Sequence, residues 1–182
     1  MNKIINKKIS QQSMCDTVVR RERDIIHKSY KLNTISKINR GKVSDIIAEY
    51  YNSLVLAKIP VSELISYDKN LNFQFSYCGD SLVNLIKDDP LSFFKKNKAL
   101  FSSMIDVCAK AHDNKLFFDP HIRNFTLKEG QLFYVDTFPP YGTKYLDLLI
   151  SYNPKLENRI KEHFDLYAFD MIPHHFLSDF KK

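Results

Sequence analysis

Apolar residues change their spacing along this chain in a way that separates strands from helices. The clearest segment is residues 71–77, where Leu71, Phe73, Phe75 and Tyr77 alternate with Asn72, Gln74 and Ser76. A period of two sends the two sets to opposite faces, so this run predicts a half-buried strand. Residues 61–67 predict a neighbouring strand, joined to it through Asp68, Lys69 and Asn70. Nearer the start, short β-branched runs at Ile4, Ile5 and Ile9, at Thr17, Val18 and Val19, and at Ile25 and Ile26 predict further strands, with a bend at Arg23 and Asp24. Between these groups Gly41 opens an element in which Val43, Ile46, Ile47, Tyr50, Tyr51 and Leu54 recur at helical spacing, and Pro60 closes the section.

Helical spacing dominates the chain beyond residue 78. Cys78, Gly79 and Asp80 interrupt the alternating strand, and residues 82–86 predict a short helix begun by Asp80 or Ser81. Residues 91–111 predict a longer helix, with Phe94, Phe101, Met104, Ile105, Cys108 and Ala111 on one broad stripe, ended by His112, Asp113 and Asn114. Two short strands at 125–127 and 132–135 flank a tight turn at Glu129 and Gly130. Pro139 and Pro140 forbid any continuation of that ladder. Residues 144–180 read as two or three helices interrupted at Pro154 and Pro173. The order predicts an α+β fold: a β-rich lobe of five strands and one helix over residues 1–78, and a mainly helical lobe over 79–182.

Composition narrows the class. With 44% apolar residues in 182, the chain can bury a core as one domain or two small lobes. No segment approaches the roughly 20 apolar residues of a membrane helix, so membrane insertion is not expected. The opening MNKIINKKIS is too polar to serve as a secretory signal, and a cytoplasmic location is expected. Cys15, Cys78 and Cys108 are too widely spaced for a paired ligand motif and too few for a disulfide framework. Residues 1–43 carry eleven Lys and Arg against three Asp and Glu, whereas the remainder is nearly balanced. A basic first quarter attracts phosphates or acidic partners. Without a zinc finger, ribonucleoprotein strand or helix-turn-helix signature beside it, nucleic-acid binding is not expected.

Three polar residues stand where chemistry can be done. Asn124 immediately precedes one short strand and Asp136 immediately follows its hairpin partner, so the hairpin brings both back to one place. Oxygen ligands of that kind suit Mg²⁺, the hard cation that accompanies nucleotide phosphates. Asp119, on the preceding loop, can then orient a hydroxyl or accept its proton. Each of the three taken alone is equally well a turn or cap residue, and only the combination carries the reading.

The segment FFDPHIRNFTLKEGQLFYVDTFPP resembles the catalytic and metal-binding loops of the protein-kinase-like superfamily, particularly its aminoglycoside and small-molecule phosphotransferase branch. The resemblance implies a two-lobed kinase-like fold in shortened form, with ATP and Mg²⁺ as cofactors. It implies Asp119 as catalytic base and Asn124 and Asp136 as metal ligands. His121 matches the small-molecule branch, where it holds the loop or touches a phosphate. The resemblance extends more weakly toward the N-terminus. Lys28, with Lys31 as competitor, matches the phosphate-gripping lysine, Glu49 its helical partner, and Tyr77 and Cys78 the hinge that holds adenine.

The departures are specific. No Gly-rich loop is present, and residues 10–15 are the candidate replacement. Phe117 stands where the family has a structural His, Ile122 and Arg123 replace a Pro-small pair, and Thr137 and Phe138 come after the metal-binding Asp. Only 46 residues lie beyond Asp136, so the substrate-recognising part is cut down, and a second copy or a partner protein is a way to complete it. Three readings fit this pattern. The first is a phosphotransferase acting on a hydroxyl-bearing small molecule or peptide. The second is a degenerate relative that binds nucleotide or a partner, and the third is an unrelated α+β binding domain.

Overall fold

The computed structural model describes residues 16–32, 36–86, 90–139 and 144–152. The strand expected at residues 4–9, the candidate phosphate loop at 10–15, Cys15 and the helices expected beyond residue 152 lie outside them. Four strands form the first sheet: β1 (Asp16–Glu22), β2 (Ile25–Lys31), β3 (Leu64–Tyr67) and β4 (Asn72–Ser76). Their order is β1-β2-β4-β3, antiparallel throughout. Lys28 pairs with Phe73 and Ile26 with Phe75, so Ile26, Lys28, Tyr30, Phe73 and Phe75 share one face. The residues of that face meet helix α1 (Lys37–Leu56), which buries Val43, Ile46, Ile47 and Tyr51 against them.

The second sheet is smaller. It joins β5 (Asp80–Ser81), β6 (Phe125–Lys128) and β7 (Gln131–Tyr134) in that order. Around it lie α2 (Leu82–Ile86), α3 (Pro90–Lys96) and α4 (Lys98–Asp113). A short 3-10 turn, Ile122–Asn124, leads into β6. Leu54 and Tyr50 of α1 enter this second apolar cluster beside Leu82, Met104, Ile122, Phe125 and Tyr134. One helix therefore seeds both clusters. The last described element, α5 (Lys144–Tyr152), returns to the first, burying Leu146 and Leu149 beside Phe138. The fold is mixed α+β, and no described helix is long and apolar enough to cross a membrane.

Several boundaries differ from the pattern-based expectation, each for a local reason. Helix α1 begins at Lys37, after Ser36, rather than at Gly41. An isolated glycine inside a helix costs only about 1 kcal/mol, which a long buried face outweighs. The helix expected over 91–111 is two, broken at Asn97. There the backbone and side-chain amides of Asn97 both donate to the Phe93 carbonyl, and a side chain competing for a helix carbonyl is a typical break. The strand expected at 61–67 is reduced to β3, while Val61 makes a single parallel bridge to Tyr134. Leu71 belongs to the turn, with φ of 67°. The Asp68 carboxylate fastens that turn by accepting from the amides of Asn70 and Asn72 at 2.7 and 3.1 Å.

Gly79 sits where β4 hands over to the second sheet, and its position tests that junction. Its φ is +98°, and a Cβ there would meet the Leu127 carbonyl oxygen at 1.9 Å. Gly130, in the β6–β7 turn, has φ of +82° with nothing within 4 Å of such an atom. Gly79→Ala is expected to cost about 3 kcal/mol or more, from strain plus backbone displacement. Gly130→Ala is expected to cost about 1 kcal/mol, from strain alone. Urea unfolding midpoints of the two variants check this, and equal losses would show that the Gly79 junction is not packed against β6.

Candidate active site

The β6–β7 hairpin does the assembling. Phe125 pairs with Tyr134, and the Val135 amide donates to the Asn124 carbonyl at 2.8 Å, so the ladder extends one residue past each strand. Asn124 and Asp136 thus lie together at the open end of the hairpin. Asn124 is buried, and its side-chain amide donates to the Asp119 carbonyl at 3.1 Å. That bond uses the nitrogen and leaves the amide oxygen for another partner. Asp136 is partly buried, and one of its carboxylate oxygens accepts from the Phe138 amide at 3.1 Å, which fixes its direction as the chain leaves the hairpin.

Asp119 enters from the loop between α4 and the 3-10 turn, only 7% exposed. One carboxylate oxygen accepts from the His121 backbone amide at 3.2 Å and also meets the His121 ring Nδ1. The other faces the Arg123 guanidinium at 3.9 Å. Burial pushes the Asp119 carboxyl up, but His121 and then Arg123 outweigh it and hold the group below the usual carboxylate range. Asp136 goes the other way. Burial raises it and the Asp119 charge raises it further, against a lowering pull from Lys28. The two carboxylates therefore stand in each other's field.

Positive charge reaches them from the first sheet. Lys28 extends from the inner face of β2, and its Nζ donates to the Val135 carbonyl beside Asp136. Lys31, three residues on, belongs to the opposite face and is exposed. Glu49 lies on the exposed side of α1, where its charge acts on the Tyr67 hydroxyl at the end of β3. Tyr77 and Cys78 leave β4 toward the second sheet. The Tyr77 amide donates to the Asp24 carbonyl at 2.7 Å, and its own carbonyl accepts from Lys128 at 3.3 Å. The Cys78 carbonyl accepts from the Thr126 hydroxyl at 2.9 Å. A carbonyl oxygen has two lone pairs, so neither bond exhausts its capacity to accept. Above them the Arg21 guanidinium lies 3.3 Å from the centre of the Tyr77 ring.

The structure thus brings together Lys28, Asp119, His121, Asn124 and Asp136, and leaves Glu49 and Lys31 facing elsewhere. Sequence reasoning passed over Arg123, although its place four residues after Asp119 was a usable signal. It also passed over Tyr50 and Tyr134. A tyrosine rather than a phenylalanine at a buried position requires a partner for its hydroxyl, and that was the available clue. Cys78 and Cys108 are buried and unbridged, and burial raises the Cys108 thiol to about 11.

Among the described residues, no three His, Cys, Asp or Glu side chains are grouped to hold a metal unaided. One carboxylate and one amide oxygen suit an ion that keeps water and takes phosphate oxygens, as Mg²⁺ does. Compared with models of known families and with characterised proteins, the sequence matches none.

The opposed shifts of the two carboxyls have a measurable consequence. Asp136 binds a proton more readily folded than unfolded, so its ionisation costs stability as pH climbs from the ordinary carboxylate range through its raised value. Asp119 contributes stability above the ordinary range, lost as pH falls through its lowered value. A divalent cation held by the ionised Asp136 would remove that penalty. Saturating magnesium chloride is therefore expected to raise the melting temperature more at about pH 8 than at about pH 5. Asp136→Asn should abolish that difference. Melting curves with magnesium and with chelator decide it, and a pH-independent shift would contradict the assignment.

Proposed function

We propose that this protein is an ATP- and Mg²⁺-dependent phosphotransferase of kinase-like design, moving a phosphoryl group to a hydroxyl of a small molecule or peptide. The observation that carries the reading is the convergence of Asp119, Asn124 and Asp136 at the open end of one hairpin, with Lys28 reaching the same point. Two acidic groups in mutual repulsion are costly unless an ion, a proton or a cation relieves them. A nucleotide–metal complex supplies such relief.

In this reading Asn124 and Asp136 would hold Mg²⁺, which when bound would supply positive charge to the phosphate oxygens. Lys28 adds a fixed positive charge to the phosphate tail. Asp119 accepts the proton of the acceptor hydroxyl as its oxygen bonds to the terminal phosphorus and the bond to the leaving diphosphate breaks. Its lowered pKa keeps it ionised at neutral pH, ready to orient that hydroxyl. His121 and Arg123 hold the carboxylate in one orientation. Arg21 and Tyr77 flank the hinge, where a base edge would meet the carbonyls of Tyr77 and Cys78.

One observation favours a second reading, a degenerate kinase-like protein that binds nucleotide or a partner without turnover. Both Asp119 oxygens already face internal cations or donors, which leaves the base little freedom to meet a substrate. Transfer of labelled phosphate from ATP to a panel of hydroxyl compounds, paired with calorimetric titration of MgATP, separates the two. Asp119→Asn is expected to lower turnover about 10²–10⁴-fold while nucleotide affinity stays near wild type. Asp136→Asn should weaken MgATP binding itself, because a neutral amide is a poor ligand for a hard cation. Wild-type binding without turnover would establish the second reading, and equal turnover in wild type and Asp119→Asn would remove Asp119 as base.

A further inference from the structure

Behind the Asp119 loop, two buried tyrosines from distant parts of the chain meet. Tyr50 comes from the middle of α1 and Tyr134 from the last position of β7, and both are fully buried. The Tyr50 hydroxyl lies 3.0 Å from the Phe117 carbonyl, and the Tyr134 hydroxyl lies 3.1 Å from the Asp119 backbone amide.

Counting protons fixes the direction of both bonds. A carbonyl can only accept, so Tyr50 spends its single proton on Phe117. An amide can only donate, so Tyr134 accepts from Asp119.

We propose that Tyr50 and Tyr134 are positioning residues: one buried hydroxyl on each side of Phe118, from helix α1 and from β7, fixes the backbone there and so sets where Asp119 stands. Neither side chain reaches the reacting atoms; both act through the loop. Phe118 and Phe125 pack their rings against Tyr134 at 5.1 and 5.5 Å, which leaves that hydroxyl little room to swing away. Because α1 also carries the core of the first sheet, any shift of the helix is delivered to the Phe117 carbonyl, two residues before Asp119. The anchoring works through neutral hydroxyls rather than through an ion pair. As a statement about catalysis it rests on the phosphotransferase reading; as a statement about the loop it does not.

The test uses the full chain with Tyr50→Phe, Tyr134→Phe and the double substitution, each of which keeps the ring and removes only oxygen. Backbone amide exchange monitored by nuclear magnetic resonance is the first readout. The Asp119 amide is expected to be protected in wild type and to lose that protection in Tyr134→Phe, with a smaller loss in Tyr50→Phe. Turnover is the second. Each variant is expected to lose up to about 10²-fold in kcat, as misplacement of a reacting group does, at unchanged KM for MgATP. The double variant, which frees the backbone on both sides of Phe118, should exchange at Asp119 at least as fast as Tyr134→Phe. Unchanged Asp119 exchange in Tyr134→Phe would overturn the proposal whether or not the protein is an enzyme. So would kcat per folded molecule equal to wild type in both single variants. Loss of protection in a protein whose wild type transfers no phosphate would support the two hydroxyl anchors and overturn the phosphotransferase reading alone.

Discussion

Two carboxyl groups brought into each other's field inside a folded chain must be offset, or one of them gives up its charge. Asp119 and Asp136 are under that constraint, and much of the surrounding structure answers it. Asp119 is answered locally, by His121 and Arg123 from its own loop. Asp136 is answered from afar, by Lys28 reaching across from the first sheet. The asymmetry separates their roles. The group held ionised suits orienting a hydroxyl, and the group left under-compensated suits a cation that arrives with its substrate.

The fold delivers these groups through short, rigid pieces. A four-residue strand on each side of a Gly130 turn is enough to set Asn124 against Asp136, because every ladder bond removes a degree of freedom. The Pro60 carbonyl accepts from the Tyr134 amide at 2.7 Å, which anchors β7 to the segment after α1. Helix α1 is then the common member: its sheet-facing side holds the strand that carries Lys28, and Tyr50 reaches the Asp119 loop. Its two ends of influence, Lys28 and the loop, meet at the carboxylates.

Much of this was legible in the sequence, and the remainder was illegible for identifiable reasons. The alternation from Leu71 to Tyr77 marked β4 because one face is buried and the other wet, and the 3.6 spacing marked α1 for the same reason. The hairpin was legible from its turn residues, and with it the approach of Asn124 to Asp136. By contrast, β5 is two residues long, too short to carry any period, and is defined only by its pairing with β6. The break at Asn97 depends on one side chain competing for one carbonyl. Which of Lys28 and Lys31 lies on the face toward α1 turns on register, which the pairing of Lys28 with Phe73 fixes. The role of Tyr50 needed a partner far along the chain, at the Phe117 carbonyl, and no local pattern reports a contact at that separation.

The most direct measurement of the central claim is a crystal structure of the full chain with Mn²⁺ and a non-hydrolysable ATP analogue, the ion located by its anomalous scattering. The account predicts an ion coordinated by the Asn124 amide oxygen, an Asp136 carboxylate oxygen and the analogue's phosphates. It also predicts Lys28 on the phosphate tail and Asp119 facing the terminal phosphorus without touching the metal. An ion or nucleotide bound elsewhere, with the Asp136 carboxylate free of any metal, would contradict it.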